Sequence, residues 1–496
     1  MTASTNAGET GKNAEQQPEL KRVLGWKLLL LFIVGDILGT GVYALTGQVA
    51  GEVGGAAWLP FLIAFAVATL TAFSYLELVT KYPQAAGAAL YVHKAFGIHF
   101  ITFIVLFTVM CSGITSATTA SRAFAVNMLT AFRGESPDAT NPALYAVAVG
   151  FLLLVMFINF RGVAEGVGTN VVLTLVELTG LLLVLFIGYW FIVGGNAEHW
   201  DAVVAFESPD DKNVFIAVTA ATSLAFFALV GFEDSVNMAE ECKEPTRIFP
   251  KVMLSGLGIT AAIYVLIAIC AVAIVPVGVL AESETPLVDV VQAAAPNFPM
   301  SDLLPWISMF AVANTALINM MMASRLLYGM ARRGVLPKFL SYVHPGRRTP
   351  FAAVIFTTVI ALLLLTYVSS DPKSSIVGLL GGTTALLLLA VFTVVNISVL
   401  VLRRDTVEHK HFRTSTPVAV LGAVTCGYLT LPITGRDPEQ YVIAGWLLLL
   451  GVLLWAVTYW WHRRSGDHAI SYDEVPPHQM NDGLEESPEM KRPPTR

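Results

Sequence analysis

Residues 34–47 read VGDILGTGVYALTG, and residues 226–250 read FFALVGFEDSVNMAEECKEPTRIFP. Both stretches lie in long apolar runs, and both runs are interrupted. In the first, Gly35 is followed by Gly39, Thr40 and Gly41 in the middle of a segment that otherwise reads as a membrane helix. In the second, Gly231 is followed by Phe232, Glu233 and Asp234. Gly231 alone reads as a packing glycine that lets helices approach closely. A matched pair of interruptions, with acids beside the second, reads as a carrier site near the bilayer midplane.

Unwinding a helix frees N–H and C=O groups where there is no bulk water, so the break must line a cavity. Freed N–H groups at the start of a half-helix attract an anion such as a carboxylate. Freed carbonyls attract an ammonium or another cation. One pair of breaks can therefore hold both ends of a zwitterion.

The rest of the chain supplies the membrane setting. Of 496 residues, 55% are hydrophobic and 13% are charged, against about 25% charged in a soluble domain. Mean hydropathy is +0.66. Twelve segments approach the ~20 apolar residues a membrane helix needs: 27–50, 57–80, 100–131, 142–160, 169–193, 213–238, 252–276, 301–330, 350–368, 375–401, 416–434 and 441–462. The interrupted segments are the first and the sixth, so each opens a set of five. With the N-terminus inside, the interior loops carry fifteen Lys and Arg residues. The exterior loops carry only Arg133, Lys212, Lys373 and Arg436. That asymmetry predicts a multi-pass protein of the cell (inner) membrane with both termini cytoplasmic. Residues 1–22 and 465–496 read as disordered cytoplasmic tails flanking a transporter domain over 23–464, and residues 1–19 lack the apolar core of a signal peptide.

Several classes are excluded. No basic stripe interleaved with aromatics points to nucleic acid. The cysteines, Cys111, Cys242, Cys270 and Cys426, have no metal-clip or disulfide spacing. All nine histidines fall in tails, loops or helix edges, so the interior offers no imidazole ligands and no metal site or cofactor is expected. No nucleophile–base pair suggests an enzyme.

At the two breaks the sequence resembles the amino acid–polyamine–organocation superfamily, in particular its cationic amino acid transporter-like bacterial branch. The glycine-rich first segment and the GF-acidic step with its AEE…P…R..P loop carry the likeness. Tyr75–Gly97 (YLELVTKYPQAAGAALYVHKAFG) and Ser324–Pro337 (SRLLYGMARRGVLP) extend it, and VLVLRRD adds a weaker match. The resemblance implies an all-α membrane protein of twelve transmembrane helices, a LeuT-like five-plus-five inverted repeat with two helices appended at the C-terminus. It implies a secondary active transporter of amino acids, proton-coupled and working by alternating access. A polyamine or organic-amine carrier or exchanger is the alternative, and a transporter-like nutrient receptor is a further one.

Carried over by position, the backbone at Thr40 and Gly41 is similar to the family's carboxylate site, with Ile37 lining the same pocket. Phe227 stands where the family places an aromatic gate. Ala228 and Val230 would offer unwound carbonyls to an amine. Ser112, Ser116 and Thr119 are pocket candidates that read equally well as small packing residues. The coupling candidates are Asp36, Glu177, Glu233 and Asn314. Glu177 stands where related sequences often carry a lysine, Asp36 replaces a small residue, and Arg333 replaces an aspartate. Asp36 and Glu177 are expected to share one low-dielectric site and hold a proton between them. Sodium, with oxygens from Asn314 or Thr315, is the less favoured ion. Arg122 is expected to snorkel or to pair across the bundle, Glu177 being one partner considered. Glu77 is expected to pair locally near Lys81.

Overall fold

The computed structural model describes residues 24–83, 87–134, 137–138, 141–161, 166–197, 199–208, 212–332, 334–344, 347, 349–370 and 375–465. The tails expected over 1–22 and 465–496 lie outside these residues, except for Ser465, and so does Arg333. Among the described residues the protein is helical, with two isolated bridges and no strand. The helices are α1 (Trp26–Val53), α2 (Trp58–Lys81), α3 (Gly87–Phe96), α4 (His99–Arg133), α5 (Pro142–Arg161), α6 (Gly166–Val193), α7 (Val214–Ala225) and α8 (Pro245–Ile274). They continue with α9 (Val277–Glu282), α10 (Pro286–Ala294), α11 (Met300–Arg332), α12 (Phe351–Ser369), α13 (Ile376–Leu402), α14 (Thr416–Leu429) and α15 (Pro438–Ser465).

Among the described residues, eleven spans are long and apolar enough to cross a membrane, counting residues 214–239 as one. The segment expected over 416–434 is shorter. α14 has 14 residues and gives way to a 3-10 turn over Pro432–Thr434. Proline removes a helical donor there, and Gly435 turns the chain at φ +78°. The segment expected over 213–238 is also not one helix, because it breaks after Ala225.

The helix ends fall on two faces. On the tail face, α1 begins and α2 and α13 end. There Arg403 grips Glu77 through both carboxylate oxygens, at 3.3 and 3.2 Å, and the Thr414 N–H donates to Glu77 at 2.9 Å. Glu77 therefore pairs across the bundle rather than with Lys81. Lys81 donates instead to the Leu402 carbonyl at 2.6 Å, one of the carbonyls left bare at the end of α13. The planar fork of Arg403 suits a carboxylate better than a lysine does.

On the opposite face, the α9–α10 hairpin lies against the end of α1. A Cβ at Gly47 would sit 2.0 Å from the Leu280 carbonyl oxygen. Arg122 of α4 pairs with Glu284 of this hairpin at 3.1 Å, not with Glu177. Between the faces, α4 packs most extensively on α11 and α13, while α1 is enclosed by α6, α7 and α8. That enclosure positions the site.

Candidate functional site

α1 is broken at Gly39, whose backbone (φ 18°, ψ −144°) is not helical. The Tyr264 hydroxyl of α8 lies 2.6 Å from the Ile37 carbonyl oxygen and 2.9 Å from that of Leu38, and donates to them. In an unbroken helix these carbonyls would accept from residues 41 and 42. A Cβ on Gly39 would lie 2.5 Å from the Thr315 hydroxyl of α11, and one on Gly35 would overlap Thr174 of α6.

The second break is longer. After α7 the chain makes a 3-10 turn over Phe226–Leu229 and becomes extended at Val230 (φ −69°, ψ 144°). Gly231 follows at φ +127°, a backbone that residues with a Cβ rarely adopt. A second 3-10 stretch runs over Asp234–Glu241. The Gly231 N–H donates to Glu233 Oε2 at 2.9 Å.

The two breaks touch at two points. A Cβ on Gly231 would lie 2.9 Å from the carbonyl carbon and oxygen of Asp36, and one on Gly41 would lie 2.4 Å from the Ala228 Cα. Ile37, Thr40, Gly41, Phe227 and Ala228 are thus brought together, and all are buried. Gly41 and Ala228, expected to serve opposite ends of one substrate, are in direct contact. The Phe227 ring rests on α13, 3.4 Å from the position of a Cβ on Gly381.

Open space lies on the tail side of the second break, as a cavity of about 60 Å³. Val230, Glu233, Asp234 and Asn237 form one wall. Ser112 and Gly113 of α4, Asn319 and Met322 of α11, Tyr75 of α2 and Thr384 of α13 form the others. Of the hydroxyl candidates on α4, Ser112 lines this cavity, while Ser116 and Thr119 are buried in the helix.

The acids separate into two groups. Asp36 lies within electrostatic reach of Asp234 and Glu233. Glu177 lies within reach of Tyr43 and Tyr264. Thr174 takes the contact with Gly35, and Glu177 sits one turn further along α6, level with the first break. On α11 the residue that meets the break is Thr315; Asn314 is buried beside it.

Around the breaks, Asp36 Oδ2, Thr40 Oγ1, the Tyr43 hydroxyl, Glu177 Oε1, Thr222 Oγ1 and Ser223 Oγ are buried with no hydrogen-bond partner. Leaving such a group unmatched costs about 1–3 kcal/mol, so their gathering here favours a polar solute. Sequence reasoning missed Tyr264, Asn237 and Asn319. The two asparagines had a signal, as amides in or beside apolar runs. Tyr264 had none.

A bundle of apolar membrane-length helices, with the first and sixth long spans broken against each other around unmatched polar groups, is the construction of a solute carrier. Residues 24–457 match the family model described as amino acid permease, and the chain belongs to that family. It is a family of transporters, not of enzymes. The chain is 27% identical to the methylthioribose transporter of Bacillus subtilis, over 88% of this chain and 93% of that one. It is 24% identical to the branched-chain amino acid permease BcaP of the same organism, over 88% and 91%. It is 28% identical to the chloroplastic cationic amino acid transporter 9 of Arabidopsis thaliana, over 68% of this chain, and spans 60% of that relative's length.

Proposed function

We propose that the chain is a proton-coupled secondary transporter that carries amino acids by alternating access. In this reading residues 23–464 form the transport domain of twelve helices, a five-plus-five repeat with α14 and α15 appended. The tail face is cytoplasmic, in the cell membrane. One observation carries the cargo assignment: the two breaks are supported by opposite groups, a hydroxyl on carbonyls at the first and a carboxylate on an N–H at the second. At the first, the carbonyls of Ile37 and Leu38 are taken by Tyr264, and in this reading the backbone N–H groups at Thr40 and Gly41 meet the carboxylate. At the second, the Gly231 N–H is taken by Glu233, and in this reading the carbonyls of Ala228 and Val230 meet the ammonium. Those are the two ends of an α-amino acid. Phe227 closes over it. The unmatched Glu177 oxygen level with the first break supports a proton as the driving ion, because a lone carboxylate inside a membrane protein is costly unless it works.

Asp36, Glu233 and Asp234, grouped at the second break, favour an organic amine or polyamine as the second reading. The relatives' names cover methylthioribose, branched-chain amino acids and cationic amino acids, so uptake must decide. Proteoliposomes in sodium-free buffer should accumulate radiolabelled leucine or lysine, rather than putrescine, when a proton gradient is imposed. Glu177→Gln should abolish that accumulation while exchange at zero gradient persists. Accumulation of putrescine alone would replace the cargo, and accumulation by the variant would remove Glu177 as the coupling group. Impermeant thiol labelling from outside the cell should reach Ser283→Cys and not Ser341→Cys; the reverse pattern inverts the orientation.

A further inference from the structure

Arg436 lies in the short loop between α14 and α15, on the face away from the tails, and is only 6% exposed. Its Nε donates to the Leu429 carbonyl at 2.7 Å. Its Nη1 donates to the Gly382 carbonyl at 3.0 Å and to Gln440 Oε1 at 2.9 Å. The adjacent carboxylate, Asp437, accepts from the Glu439 N–H instead. A guanidinium buried among neutral oxygens is an expensive way to tie down a loop, and burial pushes it down to about 10.

The position of these contacts gives them a purpose. Gly381 and Gly382 of α13 are neighbours in sequence that face different partners. Gly381 seats the Phe227 ring, while at Gly382 a Cβ would lie 2.2 Å from the Gln440 amide nitrogen. The same loop also holds α7, the helix that runs directly into Phe227. Thr219 of α7 donates to the Thr434 carbonyl at 3.1 Å. Gly435, at φ +78°, is pressed so close to α7 that a Cβ would lie 2.7 Å from Ile216. One loop therefore grips both the helix that carries Phe227 and the helix on which Phe227 rests.

We propose that Arg436 is a positioning residue for the closure of Phe227: through Gly382 it fixes the α13 seat, and through the Thr434–Thr219 contact its loop fixes the arm that carries the ring. This gives α14 and α15 a part in substrate retention although neither lines the breaks. The inference rests on the reading above, in which Phe227 closes over an amino acid.

The test is a double-mutant cycle on the purified full-length protein. A radiolabelled mixture of the protein amino acids is bound, and its release is timed. Arg436→Gln should shorten retention about five- to tenfold, and the milder Thr219→Ala about two- to threefold, as expected for residues coupled to one element. In a Phe227→Ala background neither should shorten retention further, because the element they position is gone. Arg436→Lys, which keeps the charge and loses the fork, should behave nearer to Arg436→Gln than to wild type. Effects that add fully to Phe227→Ala would make Arg436 a stability residue only and overturn the inference, while leaving the gate intact. Retention unchanged by Phe227→Ala would overturn the gate itself. No retention by the wild type would overturn the amino acid reading, and the inference with it. Should Arg436→Gln fail to fold, Thr219→Ala carries the cycle alone.

Discussion

At the first break a hydroxyl from another helix reaches across to two carbonyls. At the second, a carboxylate two residues along the same chain turns back onto a single N–H. The first break is one residue long within an otherwise continuous helix. The second runs from Phe226 to Glu241 through 3-10 and extended backbone. The second therefore holds itself open with local sequence, whereas the first is held open by α8. The supports differ in polarity as well, a hydroxyl on carbonyls at the first break and a carboxylate on an N–H at the second.

Substitutions at the breaks should follow that asymmetry. Gly231→Ala should be the most damaging. It places a Cβ at φ +127° and within 2.9 Å of the Asp36 backbone, and the backbone strain alone costs about 1–3 kcal/mol. We expect loss of transport with a marked fall in melting temperature; a variant that melts and transports like wild type would end the claim that this break is locally built. Tyr264→Phe comes next. It strands the carbonyls of Ile37 and Leu38 for a cost of about 1–3 kcal/mol and should weaken substrate binding. Glu233→Gln should cost less stability, because its amide oxygen can still accept from Gly231. If Glu233→Gln proves the more destabilising of the two, the assignment of supports is reversed. Gly39→Ala should be the mildest, because the new Cβ meets only the end of the Thr315 side chain, at 2.5 Å. Adding Thr315→Ala should restore much of the lost uptake; no recovery in the double variant would mean that the Gly39 backbone itself is required.

Much of the architecture was legible in residue order. Among the described residues, eleven of the expected spans recur, most with ends shifted by a few residues and α8 starting seven residues early at Pro245, because a helix in lipid must be apolar for its whole length. The break at Gly231 announced itself through the acids that follow it. The limits were also physical. α14 reads as a full span by hydropathy, yet Pro432 and Gly435 end it early. Glu77 sits four residues from Lys81, which made a local pair the economical reading. Only the folded bundle brings Arg403 to it from 326 residues away.

The sequence by itself determined the apolar helices, the placing of the loops at alternate ends and the two sites of interruption, since each follows from local composition and the hydrogen-bonding demands of backbone in lipid. Only the tertiary structure decided which groups share a neighbourhood. Asp36 comes within electrostatic reach of Glu233 and Asp234, Glu177 within that of Tyr43 and Tyr264, and Arg436 reaches Gly382, next to the glycine under the Phe227 ring. The reason is that electrostatic and hydrogen-bond energies depend on distance through space. In a bundle, the rotation of each helix about its axis is fixed by close contacts such as Gly35 on Thr174 and Gly41 on Ala228, which no single segment encodes.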